Sequence, residues 1–210
     1  DLLDVARITR GKVALQRAAT SLKAVMDQAV EICATLADSA GHEVAVSPPE
    51  EEVPLIADHA RMVQAIANVL ANAIKFTPRP GRITLDALVE SNTVTLRIKD
   101  PGIGLETDSL TRIFELFAQN EVGAAQVKAG LGIGLSLTKQ FIEMHGGSVC
   151  ACSEGLGHGS EFVLTFPCDG ASTVERTTST QTSRVDGWAA RKPPTRVPGV
   201  DDKCDATGMR

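Results

Sequence analysis

The sequence lacks the features that mark membrane-spanning, nucleic-acid-binding and disulfide-stabilised proteins. Over 210 residues, no apolar run approaches the roughly 18 residues that a spanning helix needs, and no signal peptide opens the chain. The net charge of −5, with both signs interspersed, gives no basic surface for nucleic acid or an anionic membrane. The five cysteines are odd in number and lack scaffold-like spacing. We therefore expect a reducing, cytoplasmic location for this region and no nucleic-acid partner.

The sequence does have enough apolar content, 43% of residues, to bury one good core with some length to spare. The chain opens on Asp1 rather than Met, so we expect it to be part of a longer protein, whose membrane anchor, if it has one, lies elsewhere. Apolar spacing predicts helices at 1–36 (with a break near 9–11), 61–75, 109–117 and 133–145, and strands at 44–46, 83–89, 93–99, 148–152 and 161–166. These elements predict an α+β fold, a two-layer sandwich of one mixed sheet covered by helices on one face.

The segment RMVQAIANVLANAIK places all its polar side chains on one helical stripe. These are Arg61, Gln64, Asn68, Asn72 and Lys75. At about 100° per residue they fall within an arc of roughly 80°, and apolar residues fill the other faces, so we expect a buried helix whose stripe faces something polar. Amide oxygens can ligate a hard cation, and an ammonium can hold a phosphate. Taken alone, the segment is more typical of a solvent-facing stripe on an amphipathic helix.

Asp100 ends the predicted strand TVTLRIKD and continues its apolar face. Because side chains alternate along a strand, the carboxylate is expected at the buried edge of the sheet. Gly102 and Gly104 follow in DPGIG and permit close backbone approach. An acceptor-only side chain beside a glycine-walled slot suits the exocyclic amino group of a purine. The alternative is a turn aspartate that caps its own backbone.

The glycine-rich segment AGLGIGLSL, residues 129–137, leads into a predicted helix. Gly130, Gly132 and Gly134 remove side chains where backbone amides and a helix N-terminus can meet an anion. Such turns are common, and this one matches neither the Walker pattern nor a strand-linked GxGxxG. However, cation and phosphate ligands, a purine acceptor and a glycine turn complement one another. Together they predict a nucleoside triphosphate site.

The order of these motifs resembles the ATP-binding domain of sensor histidine kinases, which shares a wider fold with gyrase B, MutL and heat-shock chaperone ATPases. ANVLANAIKFTP looks like the asparagine box, DPGIGL the first glycine box, IFELFAQ the phenylalanine box and GLGIGLSL the second glycine box. The match continues through EMHGGSV and SEGLGHGSEF and covers about residues 55–167. The resemblance implies a Bergerat-type ATP-binding fold with a mixed, mostly antiparallel sheet, and ATP and Mg²⁺ as cofactors.

On the phosphate side, the resemblance implies that Asn72 ligates the Mg²⁺ that bridges the phosphates. Asn68, one turn earlier, would support the site, and Lys75 would contact phosphate. The glycines at 130, 132 and 134 would line the triphosphate.

On the adenine side, the resemblance implies that Asp100 accepts a hydrogen bond from the adenine amino group, in a pocket shaped by Gly102 and Gly104. Ser160, in GSEF, would lie near the adenine. Pro101 stands where the family usually has a polar residue, and it removes one amide donor.

The resemblance assigns residues 119–129 to a mobile lid. Phe114 and Phe117 would anchor this lid to the core, although on a helix they could equally be plain packing residues. Gln126 and Ala129 stand where the family often has Arg and Gly, which would weaken contact with the triphosphate.

The two ends of the chain resemble neighbouring domains of a hybrid kinase. The expected parts are the end of a dimerisation helix with its connector (1–18), the ATP-binding catalytic domain (19–167), a flexible linker (168–195) and a truncated receiver-like start or disordered tail (196–210). Asp201 and Asp202 would match the acidic pair of a receiver domain, but Pro198 and Gly199 interrupt its first buried strand.

We therefore expect a protein histidine kinase, incomplete in this chain, that positions Mg-ATP for γ-phosphoryl transfer. None of the four histidines has the sequence context of a phosphate acceptor, so the acceptor would lie outside the chain, on a dimerisation domain. The other expected partners are a response-regulator receiver domain and a second copy of the full-length protein. The alternatives are a nonenzymatic or degenerate nucleotide-binding module, a serine-directed kinase of the same fold, and an ATPase clamp, although Asn68 stands where clamps carry a glutamate.

Overall fold

The computed structural model of the chain describes residues 14–116, 118 and 132–168. All of them belong to the compact unit Asp1–Ala171, and the second unit, Ser172–Arg210, lies outside the described residues. The predicted lid at 119–129, with Phe117 and Gly130, also lies outside them, as do the predicted linker and receiver-like segment beyond Cys168.

In the described part of the chain, seven strands build two sheets. In chain order they are β1 (Ala18–Ser21), β2 (Glu43–Ser47), β3 (Pro54–Ala57), β4 (Arg82–Glu90), β5 (Thr93–Asp100), β6 (Ser148–Cys152) and β7 (Ser160–Pro167). Five of them form a mixed sheet in the order β2-β4-β5-β7-β6, in which β2 pairs with β4 in parallel and the other pairs are antiparallel. Strands β1 and β3 form a separate antiparallel pair.

The centre of the larger sheet is a hairpin of β4 and β5. Its tight turn consists of Ser91 and Asn92, which have positive φ angles of 47° and 65°. Positive φ at both central residues is typical of a type I′ turn, whose twist matches that of the paired strands. The register pairs Leu85 with Ile98, so the apolar side chains of both strands face the same side of the sheet. The two strands predicted at 83–89 and 93–99 are confirmed.

Helices cover one face of this sheet. They are α1 (Leu22–Ala40), α2 (His59–Phe76), α3 (Ser109–Arg112) and α4 (Gly134–Met144). Apolar side chains of α1, α2 and α4 form one buried core with the inner residues of β4, β5 and β7. Fully burying one such Leu or Ile stabilises the fold by about 1.5–3 kcal/mol. The predicted two-layer sandwich is confirmed. Among the described residues, no helix is both long and apolar enough to cross a membrane.

Helix α2 is defined by clear signals at both ends. It begins after Asp58, whose carboxylate accepts a hydrogen bond from the amide of Arg61 at 3.2 Å. It ends at Thr77, whose hydroxyl donates to the carbonyl of Ala73 at 2.7 Å, and Pro78 prevents continuation. Nine of its apolar side chains are buried: Met62, Val63, Ala65, Ile66, Ala67, Val69, Leu70, Ala73 and Ile74. All five residues of the polar stripe are half-buried, so the expected burial of this helix is confirmed.

Three predictions of local structure are wrong. Residues Ala18–Ser21 form a strand rather than part of a helix, and Pro54–Ala57 form a strand where none was predicted. Each has only four residues, and they pair with each other, so tertiary pairing rather than local propensity sets their conformation. Helix α3 spans only Ser109–Arg112 and is therefore shorter than the predicted 109–117.

Candidate functional site

The N-terminal half of the polar stripe on α2 contacts protein groups. The guanidinium of Arg61 donates to Oε1 of Gln64 at 3.0 Å and lies 5.0 Å from the centroid of the Phe141 ring on α4. A cation over an aromatic face is attracted by the negative face of the ring. This half of the stripe therefore holds α2 against α4.

The middle of the stripe connects the asparagine-bearing motif on α2 with the glycine-rich segment at the start of α4. Asn68 donates from Nδ2 to the carbonyl of Gly134, the first residue of α4, at 3.1 Å. A Cβ atom added at Gly134 would lie 3.5 Å from Cγ of Asn68, which is ordinary contact, so the two helices already meet here. Thr138 reinforces the contact, because its hydroxyl lies 3.1 Å from the carbonyl oxygen of Ala65 and 3.0 Å from that of Gly134. Two predicted site residues from separate motifs are thus in direct contact.

The C-terminal half of the stripe carries Asn72 and Lys75, both half-buried. Partial burial lowers the pKa of the Lys75 ammonium, which lies 4.8 Å from the centroid of the Phe76 ring. A partly desolvated ammonium interacts more strongly with an anion than one in bulk water does. This end of the helix therefore offers an amide and a cation, the side-chain types that suit Mg²⁺ and phosphate.

Asp100 lies on the apolar face of β5, as predicted, with only 4% of its surface exposed. Its Oδ1 accepts from the amide of Gly102 at 2.8 Å, and its Oδ2 accepts from the hydroxyl of Ser160 at 2.6 Å. Burial raises the pKa of the carboxyl, and these hydrogen bonds partly oppose that effect. The expected burial of Asp100 is therefore confirmed, and the carboxylate also caps its own turn. The Ser160 backbone amide is a third donor, and an ionised carboxylate has about four acceptor sites, so capacity remains for a further donor such as an amino group.

The loop after Asp100 needs its glycines. A Cβ at Gly102 would lie 2.4 Å from Oδ1 of Asp100, and one at Gly104 would lie 2.1 Å from the carbonyl oxygen of Gly155. Gly104 also has a φ of 72°, which other residues rarely adopt. The amide of Ile103 donates to the carbonyl of Phe76 at 3.2 Å. This bond brings the loop to the end of α2, beside Lys75.

The predicted phosphate-binding turn is described only in part. Gly132 is half-buried with a φ of 66°, and Gly134 begins α4, while Gly130 lies outside the described residues. Within the described part of the chain, no side chain caps the N-terminus of α4. The first amides of a helix lack partners within the helix and can bind an anion.

A buried network fixes the other end of α2, away from these groups. The amide of Asp58 donates to Nε2 of His145 at 3.0 Å, so Nδ1 carries the proton and donates to the carbonyl of Phe141 at 2.7 Å. The carboxylate of Asp58 also accepts from the amide of Gln16 at 2.9 Å. Burial lowers the pKa of His145; Arg17 lowers it further, whereas the bond to Phe141 and the charge of Asp58 raise it.

The sequence interpretation included residues 153–159 in the resemblance but gave the loop that they form no role in the site. This loop packs against the loop after Asp100 and contains Ser153, which bonds to both. A signal was present, because three glycines alternate at positions 155, 157 and 159, as they do in the other glycine-rich segments.

Comparison with known proteins identifies relatives of the chain. A family described as "Histidine kinase-, DNA gyrase B-, and HSP90-like ATPase" matches residues 57–170. The "Non-motile and phage-resistance protein" of Caulobacter vibrioides is 34% identical over 172 residues, which cover 80% of this chain and 20% of that protein. "Histidine protein kinase DivJ" of the same species is 30% identical over 167 residues, covering 80% of this chain and 28% of that protein.

Solved structures agree with the fold. The full-length ShkA structure in complex with AMPPNP matches with a TM-score of 0.69 and 29% identity, covering 79% of this chain and 34% of that one. The catalytic domain of histidine kinase ThkA matches with a TM-score of 0.63 and 19% identity, covering 73% of this chain and 98% of that one. The resemblance to sensor histidine kinases is confirmed, although the chain spans only 20% and 28% of the lengths of these two curated relatives. Because the family match covers more than half of its 210 residues, the chain belongs to the histidine kinase-, DNA gyrase B- and HSP90-like ATPase family.

Proposed function

We propose that this chain is the ATP-binding part of a hybrid sensor histidine kinase, which holds Mg-ATP and presents the γ-phosphate to a histidine on a dimerisation domain. One observation carries the proposal. Phe76, the neighbour of Lys75, accepts a hydrogen bond from Ile103, so the amide- and ammonium-bearing end of α2 meets the loop of the buried Asp100. A phosphate-binding end and a purine-binding end therefore belong to one site.

On the phosphate side, Asn72 offers its amide oxygen to Mg²⁺, and Lys75 offers its ammonium to phosphate. Mg²⁺ prefers oxygen ligands and usually keeps bound water and substrate phosphates, so one amide from the protein suffices to orient it. Bound there, the ion would neutralise charge on the phosphates during transfer. Asn68 keeps α4 beside this end of the helix through its bond to Gly134, which positions the glycine turn for the same phosphates.

On the adenine side, Asp100 is the hydrogen-bond acceptor. It is held by Gly102 and Ser160 before any ligand arrives, so little orientational entropy is lost on binding. An acceptor-only carboxylate favours the amino group of adenine over the carbonyl group that guanine has at that position. This preference gives the site its base selectivity.

Transfer to a protein side chain is favoured over hydrolysis. An amide such as Asn68 cannot activate water as a glutamate can, and here its Nδ2 is used in the bond to Gly134. The chain's own residues therefore bind, orient and neutralise charge, while the acceptor histidine and its base come from the dimerisation domain. The complete protein would act as a homodimer in the cytoplasm and pass the phosphoryl group to a receiver domain.

Titration of ATP into the chain, with Mg²⁺ and with EDTA, tests the metal ligand. In Asn72→Ala the gain in affinity that Mg²⁺ gives should fall by about tenfold. Gln64→Ala is the matched control, because Gln64 lies on the same stripe about 12 Å earlier along the helix and should leave the gain intact. An equal effect of Mg²⁺ in wild type and Asn72→Ala would contradict the role of Asn72.

The same titration with Asp100→Asn tests the base contact. The affinity for ATP should fall by about 10- to 100-fold, because a hydrogen bond to a buried charged acceptor is lost, while the affinity for GTP should change little. Asp86→Asn is the control, since Asp86 lies on β4 and faces the other side of the sheet. An unchanged ratio of ATP to GTP affinity would contradict the role of Asp100.

The catalytic part of the proposal needs an acceptor. Transfer of labelled γ-phosphate to an added dimerisation-domain fragment should occur with wild type and fail with Asn72→Ala. ATP binding without any transfer would favour a nonenzymatic module. Rapid hydrolysis by the chain alone would favour an ATPase clamp.

A further inference from the structure

We propose that Ser153 is a positioning residue for adenine selectivity, because its hydroxyl fixes the loop at 101–105 and the residue before Ser160 in one arrangement. The inference rests on the proposed function, in which Asp100 binds the adenine amino group. It adds a residue that makes no contact with Asp100 and that belongs to a different loop.

Two loops form this side of the site, and a few hydrogen bonds hold them together. The amide of Gly159 donates to the carbonyl of Gly102 at 3.1 Å, and that of Gly157 donates to the carbonyl of Ile103 at 2.7 Å. The amide of Leu105 donates to Oγ of Ser153 at 3.0 Å. The first two bonds join backbone groups. Among these three bonds, the one to Ser153 alone uses a side chain, so a substitution can remove it without changing the backbone.

The hydroxyl of Ser153 is used to its full capacity. A serine hydroxyl has one hydrogen to donate and two lone pairs to accept with. It accepts from the amides of Leu105 at 3.0 Å and Gly155 at 3.2 Å, and it donates to the carbonyl of Gly159 at 2.7 Å, with the carbonyl of Gly155 as a more distant alternative at 3.2 Å. Oγ of Ser153 therefore connects the two ends of the loop at 153–159 with Leu105 at the end of the facing loop.

These bonds reach both groups that orient Asp100. Gly159 immediately precedes Ser160, whose hydroxyl donates to Oδ2 of Asp100 at 2.6 Å, and the backbone there is so close that a Cβ at Gly159 would lie 2.1 Å from the carbonyl oxygen of Asp100. The facing loop contains Gly102, whose amide donates to Oδ1 of Asp100 at 2.8 Å. If the hydrogen bonds of Ser153 to Leu105 and Gly159 are lost, the two loops are held less firmly. Gly102 and Ser160, which donate to the carboxylate, then each lose a restraint. The carboxylate would then be less well aimed at an amino group.

The test compares ATP, ADP and GTP affinities of the full chain in Ser153→Ala, Ser153→Thr and Ser148→Ala. In Ser153→Ala, ATP and ADP should weaken together by about tenfold, with GTP changed less than about twofold, so that selectivity for adenine shrinks. Ser153→Thr keeps the hydroxyl and should restore selectivity. Ser148→Ala removes another sheet-edge hydroxyl, bonded to Thr165 at 2.7 Å, and should change nothing.

Several outcomes would overturn the inference. One is an unchanged ATP-to-GTP ratio in a folded Ser153→Ala protein, and another is an equal loss in Ser153→Thr. If Ser153→Ala does not fold, hydrogen exchange in the wild type decides: the amide of Leu105 should be protected, and exchange at the rate of an unstructured amide would contradict the bond. Loss of selectivity in Asp100→Asn but not in Ser153→Ala would reject this inference and keep the proposed function, whereas unchanged selectivity in Asp100→Asn would reject the proposed function itself.

Discussion

The two halves of the polar stripe on α2 look alike in sequence but differ in their surroundings. In the N-terminal half, Arg61 contacts Gln64 and the ring of Phe141, and the preceding cap, Asp58, contacts Gln16 and His145. In the C-terminal half, Asn68 contacts the first residue of α4, and Phe76, which follows Lys75, accepts a hydrogen bond from the loop after Asp100. Both halves are half-buried.

We propose that this one amphipathic pattern serves stability at one end and ligand binding at the other. A half-buried polar side chain is stabilised by whatever polar groups face it. At the N-terminal end those groups belong to the protein. At the C-terminal end we propose that polar groups of Mg-ATP are added to those of the protein. Substitutions in the two halves should therefore separate binding from stability.

The largest effect is expected for Lys75→Met. The affinity for Mg-ATP should fall by about 10- to 100-fold, because a charge-assisted contact with phosphate is lost. The free energy of unfolding should fall by no more than about 1 kcal/mol, the usual size of an exposed cation–π contact such as the one with Phe76. Calorimetric titration and urea unfolding measure the two quantities. The control is Lys99→Met on the exposed face of β5, and equal affinities in the two variants would remove the distinction between the halves.

The affinity for ATP should also fall at alkaline pH, because Lys75 loses its charge there. The pKa of its ammonium is lowered in the free protein, so the charge needed for phosphate is lost at a pH below the ordinary value for lysine, and a bound phosphate opposes this loss. ATP affinity should therefore decline as the pH rises toward the ordinary pKa of a lysine side chain. Lys75→Met should show a flatter profile, and an identical slope in both proteins would contradict the contact.

The opposite result is expected at the N-terminal end with Asp58→Ala. The helix loses its cap and the amide of Gln16 loses its acceptor, so the free energy of unfolding should fall by about 1–3 kcal/mol. ATP affinity of the folded protein should change less than about threefold. Asp27→Ala, which removes an exposed i,i+4 partner of Lys23, is the control and should cost less than about 0.5 kcal/mol. A large loss of affinity in Asp58→Ala at unchanged stability would place this end in the binding site.

The smallest effect concerns the pH dependence of stability through His145. Its pKa is lowered in the folded state, so the folded protein binds fewer protons than the unfolded chain as the pH falls below about 6.5. Stability should therefore be full above that pH and should decrease as the pH falls toward the pKa of the folded state. Urea unfolding of wild type and His145→Gln at several pH values measures this, with His158→Gln in an exposed loop as the control. Titration of His145 at or above about 6.5 would contradict the prediction.

The long, strongly periodic elements could be predicted from the sequence. In α2 the 3.6-residue period separates apolar from polar side chains over 15 residues from Arg61 to Lys75, and in β5 strict alternation puts Asp100 on the buried face. The glycines at 102 and 104 were also informative, since each sits where a side chain would collide with backbone or carboxylate. These signals are local, so the sequence shows them directly.

The short and non-local parts could not be predicted in this way. Strands β1 and β3 have four residues each, and each is extended because the other pairs with it. Ser153 gave no signal of its own, because its role depends on Leu105 and Gly159 lying within hydrogen-bonding distance. Such contacts depend on how separate segments pack, and a period within one segment carries no information about them.

The sequence by itself determined which side chains are available for chemistry: two asparagines and a lysine on one stripe, a carboxylate on an apolar face, and glycines where backbone must approach. The tertiary structure decided how they are used. It directed Arg61 to Phe141 and Asn68 to Gly134, and it joined the two loops around Asp100. The reason is physical: periodicity arises from the geometry of one helix or strand, whereas the partner of each polar group is set by which elements pack against it.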